Sequence, residues 1–389
     1  MAEGKPQGIL PAGRIRELID AGQIVVARRP EPDQVQPASL DLRLGDVAYR
    51  VRASFMPGPT MAVSDRLKTL KLHEFSLTGG AVLETGCVYI VPLMERLALP
   101  ADIAAAANPK SSTGRLDVFT RVITDKAREF DKVPAGYIGP LYLEVSPRTF
   151  PILVRSGSRL SQMRFRRGEA RLDDAALAAL HRKEHLVDSA PSIADGIMLT
   201  IDLGGGSNGI VGYRAKRHTG VIDVDKRALY EAGDFWEPIP RHWSTELVLD
   251  PDQFYVLVSR EAVHVPPEYA AEMVPFDPLV GEFRVHYAGF FDPGFGHAPA
   301  GGEGSRAVLE VRSHEVPFIL EHGQVVGRLV YEKLTERPDR LYGGDVGSNY
   351  QAQGLKLSKH FRPFSRAVSQ PSLSSPASPS PDGRGKGTQ

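Results

Sequence analysis

An internal repeat constrains the fold of this chain more than any other feature of its sequence. When the sequence is shifted by 166 residues, one long stretch aligns with another at a constant offset. The aligned pairs are short apolar runs and turn residues: 88–92 with 254–258, 143–145 with 309–311, 163–165 with 329–331, Pro151 with Pro317, and Gly157 with Gly323. Because one offset holds through all of these landmarks, we infer a tandem duplication of a single module.

The repeat also sets the domain boundaries that we expect. The first module covers residues 1–170 and the second covers residues 195–364, with residues 171–194 as a linker that contains a helix. Residues 365–389 are rich in serine, proline and glycine and contain few large apolar side chains, so we expect a disordered tail.

Local patterns within the modules favour strands over helices. Apolar residues at helical spacing predict helices only over 10–22 and 172–187. Alternating apolar and polar side chains predict a half-buried strand over 39–45, and further β-type runs cover 88–92, 141–145 and 151–154. The 38 glycines and 31 prolines indicate many turns. We therefore expect a mainly β fold with a few short helices.

Charge and cysteine content limit the classes of partner. Lys plus Arg and Asp plus Glu both number 47, so the whole chain has no net attraction to nucleic acid or to a membrane surface. A single cysteine, Cys87, excludes a disulfide within the chain and fits a reducing cytosol. No signal peptide or apolar stretch of membrane-spanning length is visible. We expect a cytoplasmic protein that binds neither nucleic acid nor membranes.

One polar loop of the first module suits an anion. Residues 109–115 read Pro-Lys-Ser-Ser-Thr-Gly-Arg, in which hydroxyls and backbone N–H groups can donate while Lys110 and Arg115 neutralise charge. From these residues alone, a solvated polar loop is the commoner structure, so the loop is only a candidate.

Two glutamates occupy the same position of the repeat. Glu144 and Glu310 each lie in an apolar β-type run, and a carboxylate at a partly buried cleft wall can shuttle protons. A single glutamate in a strand is more often a solvent-exposed residue. Because a glutamate recurs at this position in both modules, a proton-shuttling residue and an exposed strand residue are equally good interpretations.

The second module carries two further candidates. Asp292-Pro293-Gly294 predicts a tight turn, in which the Asp either stabilises the turn or binds a hydroxyl. Tyr342 and the segment 348–354, which contains Tyr350 and Gln353, suit an arm that closes over a base and phosphates. An ordinary irregular C-terminus is the alternative. There is no cysteine pair, no His-x-Glu and no P-loop, so the signatures of zinc deaminases and P-loop proteins are absent from the sequence.

Taken in order, these motifs resemble those of the dCTP deaminase family, which is related to the trimeric dUTPases. Five segments carry the resemblance. Segment 41–45 is similar to the family's D-x-R-L-G strand, and 110–115 is similar to its R-S-S-x-x-R loop. Segment 288–295 resembles its D-P-G turn after an alanine, 309–310 its catalytic L-E and 349–354 its Tyr-Gln tail. Lys110 replaces the first arginine of the loop, and Asn349 replaces the lysine of the tail. The resemblance implies two tandem dUTPase-like modules, each a distorted jelly roll or β-barrel.

The motifs are divided between the two modules. The first keeps the Ser/Arg loop but lacks the Asp-Pro-Gly turn and the tail, whereas the second has Asp277, Pro278 and Gly281 in place of the loop residues. In the family, active sites lie between subunits. The resemblance therefore implies a composite site, in which one set faces another: Lys110, Ser111, Ser112 and Arg115 with Ala288, Asp292, Glu310, Tyr342, Tyr350 and Gln353.

The resemblance also implies roles. Glu310, Arg115 and Ser111 are the expected catalytic residues, with Glu144 kept as the alternative base or as a structural residue. Lys110, Ser112, Ala288, Asp292, Tyr342, Tyr350 and Gln353 are the expected substrate-binding residues. No metal is expected at the reacting carbon, and Mg²⁺ is expected only as the counterion of the triphosphate.

Three functions stay open at this point. Deamination of dCTP to dUTP and ammonia is the first. A dUTP diphosphatase, or a bifunctional deaminase and diphosphatase, is the second. A nucleotide-binding regulatory protein without turnover is the third. The resemblance also implies a homo-oligomer with trimer-like packing of modules.

Overall fold

The computed structural model describes residues 5–275, 283–285, 289–297, 304–313, 315–343 and 353–364, and it is mainly β as predicted. The first half contains short and long strands: Gly8–Ile9, Ile24–Val26, Leu40–Arg43, Val47–Val51, Lys71–Ser76, Ala81–Leu83, Val88–Ala98, Ile103–Pro109, Val118–Thr124, Lys132–Val133, Ile138–Pro147, Ile152–Val154 and Arg159–Arg167. The second half continues in the same way: Ile197–Thr200, Ile210–Ala215, Ile222–Asp223, Tyr230–Glu231, Trp236–Pro240, Glu246–Leu249, Phe254–Val263, Tyr269–Pro275, Phe283–Val285, Phe290–Phe291, Ser305–Ser313, Phe318–Glu321, Val325–Lys333 and Phe361–Arg362.

Helices are short and few in the described residues. They are Ala12–Asp20, Val63–Leu70, Ser111–Gly114, Asp174–Glu184 and Ala232–Phe235, with one 3₁₀ turn at Gly206–Asn208. Asp173 caps the helix between the two halves, because its side chain accepts a hydrogen bond from the Ala176 N–H at 2.8 Å. No helix in the described part of the chain is long and apolar enough to cross a membrane.

The two halves repeat one sheet architecture. In the first half, Arg159–Arg167 pairs antiparallel with Ile103–Pro109, and in the second half Val325–Lys333 pairs antiparallel with Tyr269–Pro275. Each half has a second antiparallel sheet built around a long strand pair, Val88–Ala98 with Ile138–Pro147 and Phe254–Val263 with Ser305–Ser313. Equivalent strands thus occupy equivalent places in two modules.

The strand predicted over 39–45 is not half-buried, which corrects the expectation from its alternation. All four residues of Leu40–Arg43 are buried. The polar side chains tolerate burial because they are paired: Arg43 Nε donates to Glu95 Oε1 at 2.8 Å, and Asp41 forms an ion pair with Lys110. This strand therefore faces apolar core on one side and buried ion pairs on the other.

Two segments of the second half cross back onto the first module. Ile222–Asp223 pairs in parallel with Ile152–Leu153 of the first module, and the ring centroid of Phe361 lies 6.5 Å from that of Phe150 in the first module's apolar cluster. Trp236 belongs to the same apolar cluster as the first module's core and lies 5.4 Å from the Phe150 ring centroid. These crossing segments fix the modules against each other around the cleft described next.

Candidate active site

A cleft of about 670 Å³ lies where the two modules meet. Its walls carry eight of the side chains that the sequence motifs indicated: Lys110, Ser111, Ser112 and Arg115 from the first module, and Asp292, Glu310, Tyr342 and Gln353 from the second. Ala288 and Tyr350 lie outside the described residues. Both halves of one chain therefore contribute to a single cleft.

The Ser/Arg loop begins where the strand Ile103–Pro109 ends. Residues Ser111–Gly114 form a single helical turn, which places Ser112 and Thr113 inward and leaves Ser111 at the cleft wall. Ser358, from the end of the second module, donates its hydroxyl to the Ser112 carbonyl at 2.8 Å. The loop is thereby held from both modules.

Arg115 reaches across the module boundary. Its side chain is 3% exposed, and it donates to Gln353 Oε1 at 3.1 Å and to the Lys356 carbonyl at 3.0 Å. Its Nε lies 3.7 Å from Glu310 Oε1. Two bonds to the C-terminal segment thus orient the guanidinium beside the acidic side chain of the opposite module.

Glu310 is a buried carboxyl placed by its strand register. It lies in Ser305–Ser313, opposite Val256 of Phe254–Val263, and its side chain points into the cleft between apolar neighbours in sequence. Burial raises the pKa of Glu310 to about 7, while the Arg115 charge acts in the opposite direction. A carboxyl that is partly ionised near neutral pH is suited to accept and return a proton.

Asp292 lies in the turn that follows Phe290–Phe291. Gly294 has a φ of +94°, and a Cβ there would lie 2.9 Å from the Leu341 Cβ and 3.0 Å from the Tyr342 carbonyl oxygen, so only glycine fits. Burial raises the pKa of Asp292, and the positive charges of Arg164 and Lys110 lower it. Its Oδ1 accepts no hydrogen bond from any described residue.

Tyr342 packs beside this turn. Its ring centroid lies 5.8 Å from that of Phe295, and its N–H donates to the Pro293 carbonyl at 2.8 Å. Because Tyr342 is only partly buried, its ring forms part of the cleft wall.

Glu144 has different neighbours from its counterpart in the repeat. It does not line the cleft; it is 1% exposed and forms an ion pair with Arg121, whose Nε donates to Glu144 Oε1 at 3.0 Å. Arg121 is the directly opposite residue on the neighbouring strand and also stacks on Phe130, with 3.7 Å between its guanidinium carbon and the ring centroid. Glu144 is thus paired with an arginine away from the cleft, whereas Glu310 faces the cleft 3.7 Å from its arginine.

The motifs did not indicate several charged side chains of the cleft. Arg155, Arg159, Arg227 and Lys359 all line it. Arg155 donates to Asp223 at 2.8 Å and so ties the crossing segment to the first module. Burial, reinforced by the positive charges of Lys110 and Arg227, lowers the pKa of Lys359 to about 8. Arg227 lies within the second module and Lys359 follows the tail motif, and neither belongs to a motif that could have indicated it.

The fold and the cleft define a class of protein: a tandem β protein in which two modules line one cleft that holds a buried carboxyl beside a guanidinium. Residues 6–169 match the family model for the 2′-deoxycytidine 5′-triphosphate deaminase N-terminal domain, and residues 173–361 match the model for its C-terminal domain. The chain therefore belongs to the dCTP deaminase family.

Two curated relatives are similar to part of the chain, and one solved structure is similar to most of it. The dCTP deaminase of Haloarcula marismortui is 32% identical over 163 residues, which are 40% of this chain and 79% of that protein. The "dCTP deaminase, dUMP-forming" of Coprothermobacter proteolyticus is 29% identical over 160 residues, 40% of this chain and 81% of that protein. The crystal structure of the 2′-deoxycytidine 5′-triphosphate deaminase from Agrobacterium tumefaciens is 68% identical, with a TM-score of 0.83, and covers 86% of this chain and 100% of that chain.

Proposed function

We propose that this chain catalyses the hydrolytic deamination of dCTP to dUTP and ammonia, as a step of pyrimidine deoxynucleotide metabolism. The observation that carries the proposal is the buried Glu310 carboxyl, 3.7 Å from Arg115 of the opposite module, in a cleft that also holds hydroxyls and cations. Family membership supplies the substrate, and this geometry supplies the chemistry.

Glu310 acts as the general base and then the general acid. In its ionised form it accepts a proton from a water molecule whose oxygen attacks C4 of the cytosine ring, and it passes that proton to ring N3. It then takes the proton of the new C4 hydroxyl and passes it to the amino group, so the C4–N bond breaks, the C4 carbonyl forms and ammonia leaves. A pKa of about 7 lets one carboxyl perform both transfers at neutral pH.

The residues around Glu310 position the reactants. Ser111 and the Ala288 carbonyl hold the attacking water, and Arg115 orients Glu310 and stabilises the charge that develops on the ring. Gln353 accepts a hydrogen bond from Arg115 and donates to the Arg306 carbonyl at 3.2 Å, so we assign it to positioning Arg115 as well as to the phosphate side of the site.

The sugar and phosphates lie toward the rest of the cleft. Asp292 contacts the sugar, Tyr342 and Tyr350 cover the nucleotide, and Lys110 and Ser112 engage the phosphates. Mg²⁺ arrives with the triphosphate as its counterion, and the reacting carbon needs no metal. We further propose a cytoplasmic enzyme that assembles into a homo-oligomer with trimer-like packing of its modules.

A product assay tests the reaction. The purified protein is incubated with dCTP or dUTP, and ammonia, dUTP, dUMP and pyrophosphate are measured. Ammonia and dUTP from dCTP are expected. Binding of dCTP without ammonia release would overturn the proposal in favour of a regulatory nucleotide-binding protein.

A second activity is tested by the same assay. The relative from Coprothermobacter proteolyticus is named "dCTP deaminase, dUMP-forming". Conversion of dUTP to dUMP would be a second reaction, and it would release pyrophosphate. Accumulation of dUMP and pyrophosphate from dCTP would identify a bifunctional enzyme, and pyrophosphate from dUTP without deamination of dCTP would identify a diphosphatase.

A further inference from the structure

Arg164 of the first module holds the sugar-binding turn of the second module. It lies in the strand Arg159–Arg167, it is 2% exposed, and its guanidinium extends across the module boundary. Its Nη1 donates to the Ala271 carbonyl and to Glu332 Oε2, both at 3.1 Å. These two bonds anchor one side of the guanidinium on the second module's sheet.

The other side of the guanidinium faces the turn itself. Nη2 donates to the Phe291 carbonyl at 3.3 Å and lies 3.5 Å from Asp292 Oδ1. The guanidinium carbon also lies 4.1 Å from the Phe290 ring centroid, a cation–π contact. One buried side chain therefore contacts three consecutive residues, 290–292, and ends at the Asp292 carboxylate.

The repeat shows that the contact between Arg164 and the Asp292 turn has no counterpart at the equivalent position of the other module. At the repeat offset, Arg164 corresponds to Val330 of the second module, which cannot make the equivalent contact. The Arg and the Asp-Pro-Gly turn thus occur together once in the chain, on opposite modules, as Arg115 and Glu310 do.

The Asp292 carboxylate, which Arg164 holds, can still accept a hydrogen bond from a ligand. Asp292 Oδ1 has the 3.5 Å ion-pair contact with Arg164 but no hydrogen bond of ordinary geometry from a described residue, and the side chain is 8% exposed and lines the cleft. An acceptor that is buried without a hydrogen-bond donor is costly unless a ligand supplies one. A sugar hydroxyl is a donor of the right chemistry.

We propose that Arg164 is a positioning residue that fixes Asp292 for the 3′-hydroxyl of a 2′-deoxyribose and thereby sets the preference for deoxyribonucleotides over ribonucleotides; this rests on the proposed function of the cleft. A carboxylate held by an anchored guanidinium accepts from one hydroxyl and cannot withdraw to admit a second one beside it. A carboxylate without that hold can rotate to accept a 2′-hydroxyl as well.

The test compares Arg164 variants with a variant of another paired arginine that does not line the cleft. Arg164→Lys retains the charge but lacks the two separate nitrogens, one of which binds Ala271 and Glu332 while the other faces Phe291 and Asp292, and Arg164→Gln removes the charge. Arg121→Lys is the matched control, because Arg121 also pairs with a buried glutamate and lies over a phenylalanine ring but does not line the cleft. For each protein, kcat/KM is measured for dCTP and for CTP, with thermal unfolding as the check on folding.

We expect the ratio of kcat/KM for dCTP to that for CTP to fall at least about tenfold in Arg164→Lys and further in Arg164→Gln, because misplaced polar contacts account for discrimination of this size. Arg121→Lys should lower the unfolding temperature and leave the ratio within about twofold of the wild type. A folded Arg164→Lys variant with an unchanged ratio would overturn the proposal. So would an Arg121→Lys variant that loses the preference to the same extent.

Calorimetric binding of dCTP and CTP separates this proposal from the proposed reaction. If the wild type prefers dCTP in binding but releases no ammonia, the deaminase function fails while the role of Arg164 is still decided by the binding ratios. If the wild type deaminates dCTP and the ratios do not depend on residue 164, only the role of Arg164 fails.

Discussion

Arg115 Nε lies 3.7 Å from Glu310 Oε1, although the two residues belong to different copies of the repeat. Each copy by itself has an incomplete site: the first has the loop and the second has the acid with its turn. The duplication therefore allowed the two modules to diverge in complementary ways, so that one chain contains one complete set.

Complementation tests whether that set lies within one chain. Arg115→Gln and Glu310→Gln variants are each expected to release almost no ammonia from dCTP, and so are hetero-oligomers obtained by co-expressing the two variants. In a mixed oligomer every intrachain site lacks one of the two residues. Recovery of ammonia release on co-expression would show instead that the loop of one chain meets the acid of another.

The pH profile of the reaction reports the environment of Glu310. We expect kcat/KM to rise with pH through about 7 and then level off, because the base must be ionised to accept a proton. The measurement is kcat/KM for dCTP between about pH 5 and about pH 9. A profile that is already flat at about pH 5 would contradict the assignment of a base with an elevated pKa.

The same group predicts a pH dependence of stability. The folded pKa of about 7 is above the ordinary value of 4.5, so between these two values the unfolded state releases the proton that the folded state retains. The free energy of unfolding of the wild type should therefore fall, relative to Glu310→Gln, as pH rises through this window, and the difference should be constant above it. Chemical denaturation of both proteins at a series of pH values measures this, and a difference independent of pH would contradict it.

Gln353 should matter through Arg115. Replacing Gln353 by Leu removes the acceptor that holds the guanidinium, and a small displacement of a catalytic group can lower kcat by about 10²-fold. Gln324→Leu is the matched control, because Gln324 forms a hydrogen bond in an exposed turn of the same module. Equal values of kcat for the two variants would show that Gln353 does not position Arg115 for the reaction.

Arg312 joins the modules by a buried ion pair. It binds Asp117 of the first module and donates to Thr149 Oγ1 at 3.0 Å. Arg312→Met leaves the Asp117 carboxylate buried without its cation, so we expect a loss of about 3–5 kcal/mol in the free energy of unfolding. Arg214→Met breaks the exposed pair with Glu237 and should cost no more than about 1 kcal/mol. Denaturant unfolding of both variants makes the comparison, and similar losses would contradict the importance of the buried pair.

The repeat made the overall architecture predictable from the sequence. One constant offset indicated two β modules, and the strands Ile103–Pro109 and Tyr269–Pro275 follow that offset at both ends. The order of the motifs also indicated which residues of each module face the other, since a loop without an acid and an acid without a loop are complementary.

Contacts that depend on register or on crossing segments were not predictable from a single sequence. The pairing of Glu144 with Arg121 requires the register of two strands, which local patterns do not give. The pairing of Ile222–Asp223 with the first module involves only two residues and carries no periodic signal. Arg164 is one of four arginines in the strand Arg159–Arg167, and only the packing of the modules distinguishes it.

The most direct test compares the two glutamates of the repeat. Ammonia release at saturating dCTP is measured for Glu310→Gln and Glu144→Gln, after thermal unfolding has shown that both variants are folded. We predict that Glu310→Gln loses at least about 10³-fold in kcat while Glu144→Gln stays within a few-fold of the wild type and is less stable. Loss of the reaction in Glu144→Gln alone, with Glu310→Gln still active, would contradict the composite site.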